Sequence, residues 1–435
     1  MRITDFLLKT NHVPWDEHRE ISCKTLLDIS DFRRVSSDGC YNQKSRSFMK
    51  RNVAVVIPAY REHAVIEKTL ASLEASYATV ADHVSQPTVI VVVNNPKQVS
   101  TQFVQDNQKM LRLLEDWATR SPMNLIALDY TDPGLDKGVG EARKIGMDYA
   151  VAKHLPFDDD VVVSLDADCE VDLRYFQTLF TRPLKEAVGF TLGFAHPTQK
   201  TNTVLYELYL RYMKQGLAHA GSAFAFTAIG SCLGASRLGY QKSGGMVAKT
   251  ATEDFHFLNR LRKVGPLSQW QDTIVHPSDR NSARAPLGTG VFLAQAGKDL
   301  HSALQQLVIA SPLAFERLGR VEQAIVDFAH QDSLLESLKN AGEQDSYAHL
   351  QARGIVDKLY AIKENCASRA MFRRRRVEVW DGLETFRLLR WMMQPSPPVR
   401  PQQLIQWAQA LANMDHDQPL DLLQAYRQLD QTLLA

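Results

Sequence analysis

The sequence predicts an α/β protein, a parallel sheet crossed over by helices and followed by a mainly helical C-terminal region. Three observations carry that prediction. Short β-branched runs alternate with amphipathic segments four times between Val53 and Phe180, the pattern of a parallel sheet with right-handed crossovers. Beyond Gly290 the strand-like runs stop, and apolar residues recur at helical spacing to Ala435. The chain has 435 residues, 45% of them hydrophobic, enough for a large core in one domain with an appendage or in two domains. The expected division is an N-terminal extension (1–50), an α/β domain (51–290) and a helical region (291–435).

The first strand is "VAVVIPAY", a β-branched run ended by Pro58 that reads as a strand buried on both faces. The following "REHAVIEKTLASLEAS" places Val65, Ile66, Leu70 and Leu73 at helical spacing. The pair recurs as "TVIVVV" before a leucine-rich helix around Met110 to Trp117, as "NLIALDY" before "GVGEARKIGMDYAVA", and as "DVVVSLDAD" before "LRYFQTLF". From Ala187 to Pro277, "AVGFTLGF" and "QWQDTIVHP" read as strands and "EDFHFLNRLRKVG" as a helix. The proline-rich "QPSPPVRP" from Gln394 to Pro401 interrupts the C-terminal helices.

Ligands of such sheets bind beyond the carboxyl ends of the strands, which puts "PAYRE", "NNP", "DYTD" and "DAD" along one rim. The stretch "VVVSLDADCEVD" reads alone either as a strand running into a solvated acidic loop or as a metal site. Convergence of four rim segments favours the site, with Asp166 and Asp168 holding a divalent ion and phosphate oxygens completing its shell. Glu170 and Asp172 are expected to cap the next helix. In "LDKGVGEARKIG", Lys137, Gly138, Gly140 and Arg143 suit a diphosphate at a helix start, or else form an ordinary loop and amphipathic helix. There is no GxxxxGK[ST], so this is not a P-loop. The first strand ends without GxGxxG, which argues against a dinucleotide-binding oxidoreductase, and without the glycine-rich basic loop expected of a sugar nucleotidyltransferase.

"ATEDFHFLNRLRKVG" carries Glu253 and Asp254 at a helix start, where they serve as caps or one acts as a base toward a hydroxyl. "IVHPSDRNSARAPLGTG" offers His276 at a strand end, then Arg280 and Arg284 on a loop with Pro286, Gly288 and Gly290. His276 is either structural or a metal or phosphate ligand, and the loop has the composition of a lid.

In this order the motifs resemble the GT-A fold glycosyltransferases, most closely family 2. The resemblance rests on "VVIPAYRE", "KGVGEARKIGMDYA", "LDADCEVD", "GSCLGASR" and "ATEDFHFLNRLRKVG", and covers roughly Val53 to Gly290. It implies a Rossmann-like, mostly parallel sheet with helices on both faces, a nucleotide-sugar donor and a Mn2+ or Mg2+ ion. Pro58, Tyr60 and Glu62 would flank the nucleotide, Arg143 and Asp166 would contact nucleotide, ribose or metal, Asp168 and His276 would be metal ligands, and Asp254 would be the base. Asn94 and Asn95 stand where relatives often have an aspartate that reads the nucleobase, and Lys144 where many have Asn. The donor nucleotide therefore stays open. The implied chemistry is direct displacement with inversion at the anomeric carbon; a retaining reaction, as in mannosylglycerate synthase-like enzymes, and a non-catalytic nucleotide-sugar-binding protein are the alternatives.

Lys plus Arg number 50 against 49 Asp plus Glu, which removes any global electrostatic case for nucleic acid. The five cysteines are widely spaced without CxxC, so neither a disulfide framework nor a zinc cage is expected, and a reducing, cytoplasmic compartment fits. The N-terminal apolar patch is too short for a signal peptide core, and "AGSAFAFTAIGSCLGA" too short for a membrane span. "MFRRRRVEVWDGLETFRLLRWMM" reads either as a solvated basic turn on a packed helix or as a peripheral contact with anionic lipid on the inner face of a membrane.

Overall fold

The computed structural model describes residues 20–22, 51–98, 100–280, 288–394 and 399–432. The N-terminal extension apart from 20–22, Arg284 and most of the expected lid, and 395–398 of the proline-rich break lie outside the described residues. The chain folds as two compact units, one formed by 1–194, 230–254 and 273–277, the other by 195–229, 255–272 and 278–435.

In the first unit the strands are β1 (Glu20–Ser22), β2 (Val53–Ala59), β3 (Thr88–Pro96), β4 (Asn124–Leu135), β5 (Val161–Ser164), β6 (Glu170–Val171), β7 (Gly189–Phe194), β8 (Leu233–Ser236) and β9 (Leu267–His276, of which 273–276 belong here). They form one mixed sheet in the order β1-β4-β3-β2-β5-β8-β7-β9-β6. The four strands expected from the alternation, β2 to β5, run parallel, in the register Val56 opposite Ile90 and Ser164. Their continuous Val/Ile runs follow from burial, with Val55, Val56, Ile57, Val91, Val92 and Val163 all at 0% exposure, as strands covered on both faces require. Antiparallel β8 extends the sheet beside β5, β7 pairs antiparallel with β8, and β6 with β9.

The crossover helices are α1 (Ile66–Ala78), α2 (Thr101–Arg120), α3 (Gly138–Lys153) and the short α4 (Tyr175–Thr181). Helix α3 lies so close to the sheet that a Cβ at Gly146 would overlap the Val56 side chain and come within 2.9 Å of Val92 Cγ2. Its buried ion pair Lys144–Asp148 (2.7 Å) is extended by the Tyr240 hydroxyl, which donates to Asp148 at 2.7 Å. Lys144 thus serves the core of the fold.

The second unit contains α5 (Thr201–His219), α6 does not belong to it (Arg237–Ser243 lies in the first unit), and α7 (Glu253–Val264) contributes its residues from Phe255 on. It continues through α8 (Thr289–Ala296), α9 (Leu300–Gln305), α10 (Pro312–Asp327), α11 (Leu334–Asn340), α12 (Gln344–Ala352), α13 (Ile355–Glu364), α14 (Arg369–Arg375), α15 (Gly382–Met392), α16 (Pro401–Ala412) and α17 (Pro419–Thr432). The mainly helical C-terminal region is as the periodicity predicts. Phe315, Leu318, Val321 and Ile325 line the buried stripe of α10, at the helical spacing that makes one apolar face. Helix α17 is tied to α5 by charge. Arg427 donates to both oxygens of the buried Glu207 (2.7 and 2.9 Å), and Asp430 accepts from Arg211, Lys214 and Gln215.

Among the described residues no helix is long and apolar enough to cross a membrane. Cys169, Cys232 and Cys366 are free thiols.

Candidate functional site

The acidic stretch leaves the end of β5 as expected. Asp166 and Asp168 are half-buried, while Ala167 and Cys169 between and beyond them turn into the core. Thr69 of α1 pins the turn by donating to the Ala167 carbonyl at 2.9 Å. The two carboxylates therefore share the exposed side of one turn. Glu170 is a correction to the expected pair of helix caps: it is an exposed residue of β6 opposite His276. Asp172 is not the cap either: Arg174 holds the N-cap position of α4 without a side-chain cap, and Asp172 two residues before it accepts from the Arg174 amide at 2.8 Å and from the Ile274 amide at 3.0 Å, tying the turn to β9.

The structure joins three expected motifs through Arg143. Its guanidinium is 5% exposed and forms ion pairs with Asp166 and with Glu253, the first residue of α7, whose side chain is also 5% exposed. Gly230 closes over this group, and a Cβ there would overlap the guanidinium. Burial by itself would lower the pKa of Arg143, but Asp166, Glu253 and Asp254 more than reverse this and raise it above the ordinary arginine value. Burial raises the Asp166 carboxyl, with Asp168 and Glu253 adding to the rise and Arg143 opposing it. The cluster is thus one cation held among three carboxylates, Asp166, Glu253 and Asp254, with Asp168 acting on Asp166. Asp254 is half-buried in the first turn of α7.

The remaining predicted residues have definite places. Pro58 is half-buried in β2, opposite Val92. Tyr60 sits edge-on to Phe103 of α2, with ring centroids 6.5 Å apart. The next residue, Arg61, adopts φ 59° and lays its guanidinium 3.6 Å from the Phe103 ring centroid, a cation–π contact that holds this strained turn. Glu62 is buried, and its carbonyl accepts from the amides of Val65 and Ile66 at the start of α1. Asn94 and Asn95 are buried at the end of β3. Asn107 of α2 ties this segment together, donating to the Asn94 carbonyl (2.9 Å) and the Asn95 side chain (2.7 Å) and accepting from the Arg61 amide (2.9 Å).

At the start of α3, Lys137 is exposed and its amide donates to Glu141 at 2.7 Å. Gly138 has φ +55° and open space where a Cβ would stand. Gly140 differs, since the Lys249 backbone fills that position. Gly138 alone of the two presents an unobstructed backbone. Arg280 belongs to the second unit, where its amide donates to Ser278 Oγ at 3.2 Å; Arg284 lies outside the described residues.

Among the described residues no three His, Cys, Asp or Glu side chains form a group able to hold a metal ion. His276 is exposed and is not gathered with the two aspartates into such a group. What remains is a pair of hard oxygen donors, Asp166 and Asp168, on one exposed turn. That donor chemistry suits Mg2+ or Mn2+ when substrate phosphate supplies further oxygens.

Asn107 has no signal in the sequence, because it meets the rim only through Arg61, Asn94 and Asn95, and Gly230 opens the "GSCLGASR" motif without anything there to show that it covers Arg143. Glu253 was weighed as a cap or base, and no local signal identifies it as the buried partner of Arg143.

No protein-family model and no curated protein matches the sequence. Among solved structures, residues 1–349 of S. aureus TarS with UDP-GlcNAc is similar over 76% of this chain and 91% of that one, at 10% identity and a TM-score of 0.38. The mannosyltransferase PcManGT from Pyrobaculum calidifontis, with GDP-Man and Mn2+, is similar over 88% of this chain and 86% of that one, at 12% identity and a TM-score of 0.35. A mycobacterial protein is 17% identical over 52% of this chain and 65% of that one, with a TM-score of 0.31.

Proposed function

We propose that this chain is a GT-A, family 2-like glycosyltransferase that moves a sugar from a nucleotide-sugar donor to an acceptor hydroxyl. The observation that supports this reading best is the Arg143 cluster. It ties the aspartate at the end of β5 to the first turn of α7, so that a phosphate-and-metal motif and a candidate base motif belong to one electrostatic unit.

Asp166 and Asp168 would hold the divalent ion, which when bound supplies positive charge to the donor diphosphate. The open backbone at Gly138 and the exposed Lys137 would face phosphate oxygens. Arg280 and Arg284 would neutralise the departing diphosphate, and Pro58, Tyr60, Glu62 and Asn94 would border the nucleotide. Asp254 would take the proton of the acceptor hydroxyl as its oxygen bonds to the anomeric carbon. The bond from that carbon to the phosphate oxygen breaks, the electron pair leaves with the nucleoside diphosphate, and the anomeric configuration inverts. Glu253 is the weaker candidate for the base because Arg143 already occupies its carboxylate.

The test is a panel of nucleotide sugars with Mn2+ or Mg2+, scored for donor binding by calorimetry and for donor hydrolysis or transfer. Asp168→Ala is expected to lose metal-dependent donor affinity. Asp254→Asn is expected to keep donor affinity and lose transfer by about 10²- to 10⁴-fold. Undiminished metal-dependent affinity in the first variant, or near-normal transfer in the second, refutes the corresponding assignment.

A further inference from the structure

The arginine run after Met371 divides sharply in the folded chain. Arg375 pairs with Glu378 at 2.9 Å, and Arg376, partly buried, lies 3.7 Å from the buried Glu322. Those two belong to the body of the helical unit. Arg369, Arg373 and Arg374 are exposed and have no carboxylate partner among the described residues, Arg373 meeting only His330 at 3.2 Å.

Helix α14 is anchored by Phe372, which is 1% exposed and packs edge-on against Phe328 with ring centroids 5.8 Å apart. At about 100° per residue, Arg374 falls nearly opposite that anchor, Met371 and Arg373 lie about 100° to either side of it, and Arg369, at the start of the helix, lies about 60° from it on the side of Arg373. Met371 is 41% exposed, one of the few large apolar side chains left in water. The exposed surface of α14 thus carries Arg374 at its outermost point, Met371 on one side and Arg373 with Arg369 on the other.

We propose that this face docks the protein on an anionic lipid bilayer, with the arginines at the phosphate level and Met371 entering the headgroup boundary. The charges alone suit any polyanion. The exposed methionine among them favours a lipid surface, which rewards apolar insertion as well as charge. The proposal stands independently of glycosyl transfer.

Each basic side chain near an anionic leaflet is worth about fivefold in partition, so three are worth roughly a hundredfold. The full chain is sedimented with vesicles of phosphatidylcholine alone and of phosphatidylcholine with an equal part of phosphatidylglycerol, at low and high salt. Binding is expected only to the anionic vesicles, falling as salt rises. Arg369→Ala, Arg373→Ala and Arg374→Ala together should lower it about a hundredfold, while replacement of all three by Lys should retain most of it. Met371→Ser should lower it severalfold without altering the salt dependence. Equal binding to both vesicle types, or an unchanged partition in the triple alanine variant with an unaltered circular dichroism spectrum, overturns the proposal. So does tighter binding to single-stranded RNA that is indifferent to Met371→Ser, since that result assigns the face to a soluble polyanion.

Discussion

Replacing Arg143 by Met tests the central cluster most directly. Methionine fills much of the guanidinium's stem volume and removes its charge, leaving Glu253 buried without its cation. Asp166, with a side chain 34% exposed, can turn to water; Glu253 at 5% cannot. The cost is therefore set mainly by Glu253, and loss of one partner from a buried pair runs to about 3–5 kcal/mol. Removing both charges in Arg143→Met with Glu253→Gln should recover much of it, because a neutral amide costs far less to bury than an unpaired carboxylate. Summed single losses should exceed the double-variant loss by about 2 kcal/mol or more. The assay is native-state hydrogen exchange of the 161–171 and 138–153 segments, which reads the opening of this unit separately from the helical one. Additive single and double variants would show that the two side chains do not share an interaction, and the clamp would be refuted.

Two further outcomes follow from the same structure. Gly230→Ala should displace the Arg143 guanidinium, which is locked by two carboxylates and cannot swing aside as a free side chain would. It should cost about 1–3 kcal/mol by overpacking and weaken nucleoside diphosphate binding in the same calorimetric titration; wild-type stability and affinity would disprove the contact. In the helical unit, burial alone would raise the Glu207 pKa, but hydrogen bonds from His196 and Arg427 and the charge of Arg211 outweigh it and hold the carboxyl below its ordinary range. A lowered folded-state value gives stability that is present above the unfolded value of about 4.3 and lost as pH falls through the folded one. Hydrogen exchange of α5 and α17 between about pH 7 and pH 3 should show that loss, and Glu207→Gln should flatten it; an equal acid slope in both proteins refutes the assignment. Glu322, raised by burial, works in the opposite direction.

What the sequence displays is what neighbouring residues decide. The parallel strands were legible because burial on both faces demands unbroken apolar runs such as "VIVVV". The end of β5 was legible because its apolar run stops at Ser164 and carboxylates begin at Asp166. Strand β8 carries no such signal. It is "LGAS", and its glycine makes room for the Phe190 ring, so small residues replace the β-branched ones that mark a strand. Strand β6 is two residues long, below any periodicity, and its Glu170 therefore looks like a cap.

The same limit governs the candidate site. Lys137 and Gly138 could be located from a helix start, but which carboxylates neutralise Arg143 depends on a pairing across 110 positions of chain to Glu253 and 23 to Asp166. No local pattern encodes that choice. From the sequence Arg143 is a ligand contact, and Glu253 and Asp254 are caps or bases. The fold separates those two acids by environment. Glu253 is sealed against a guanidinium, whereas Asp254, one residue on, keeps a partly open carboxylate under the same positive charge. Adjacent acids at a helix start point about 100° apart, so the two carboxylates stand in different surroundings. That difference in burial is a property of the packed cluster, and nothing local in "ATED" encodes it.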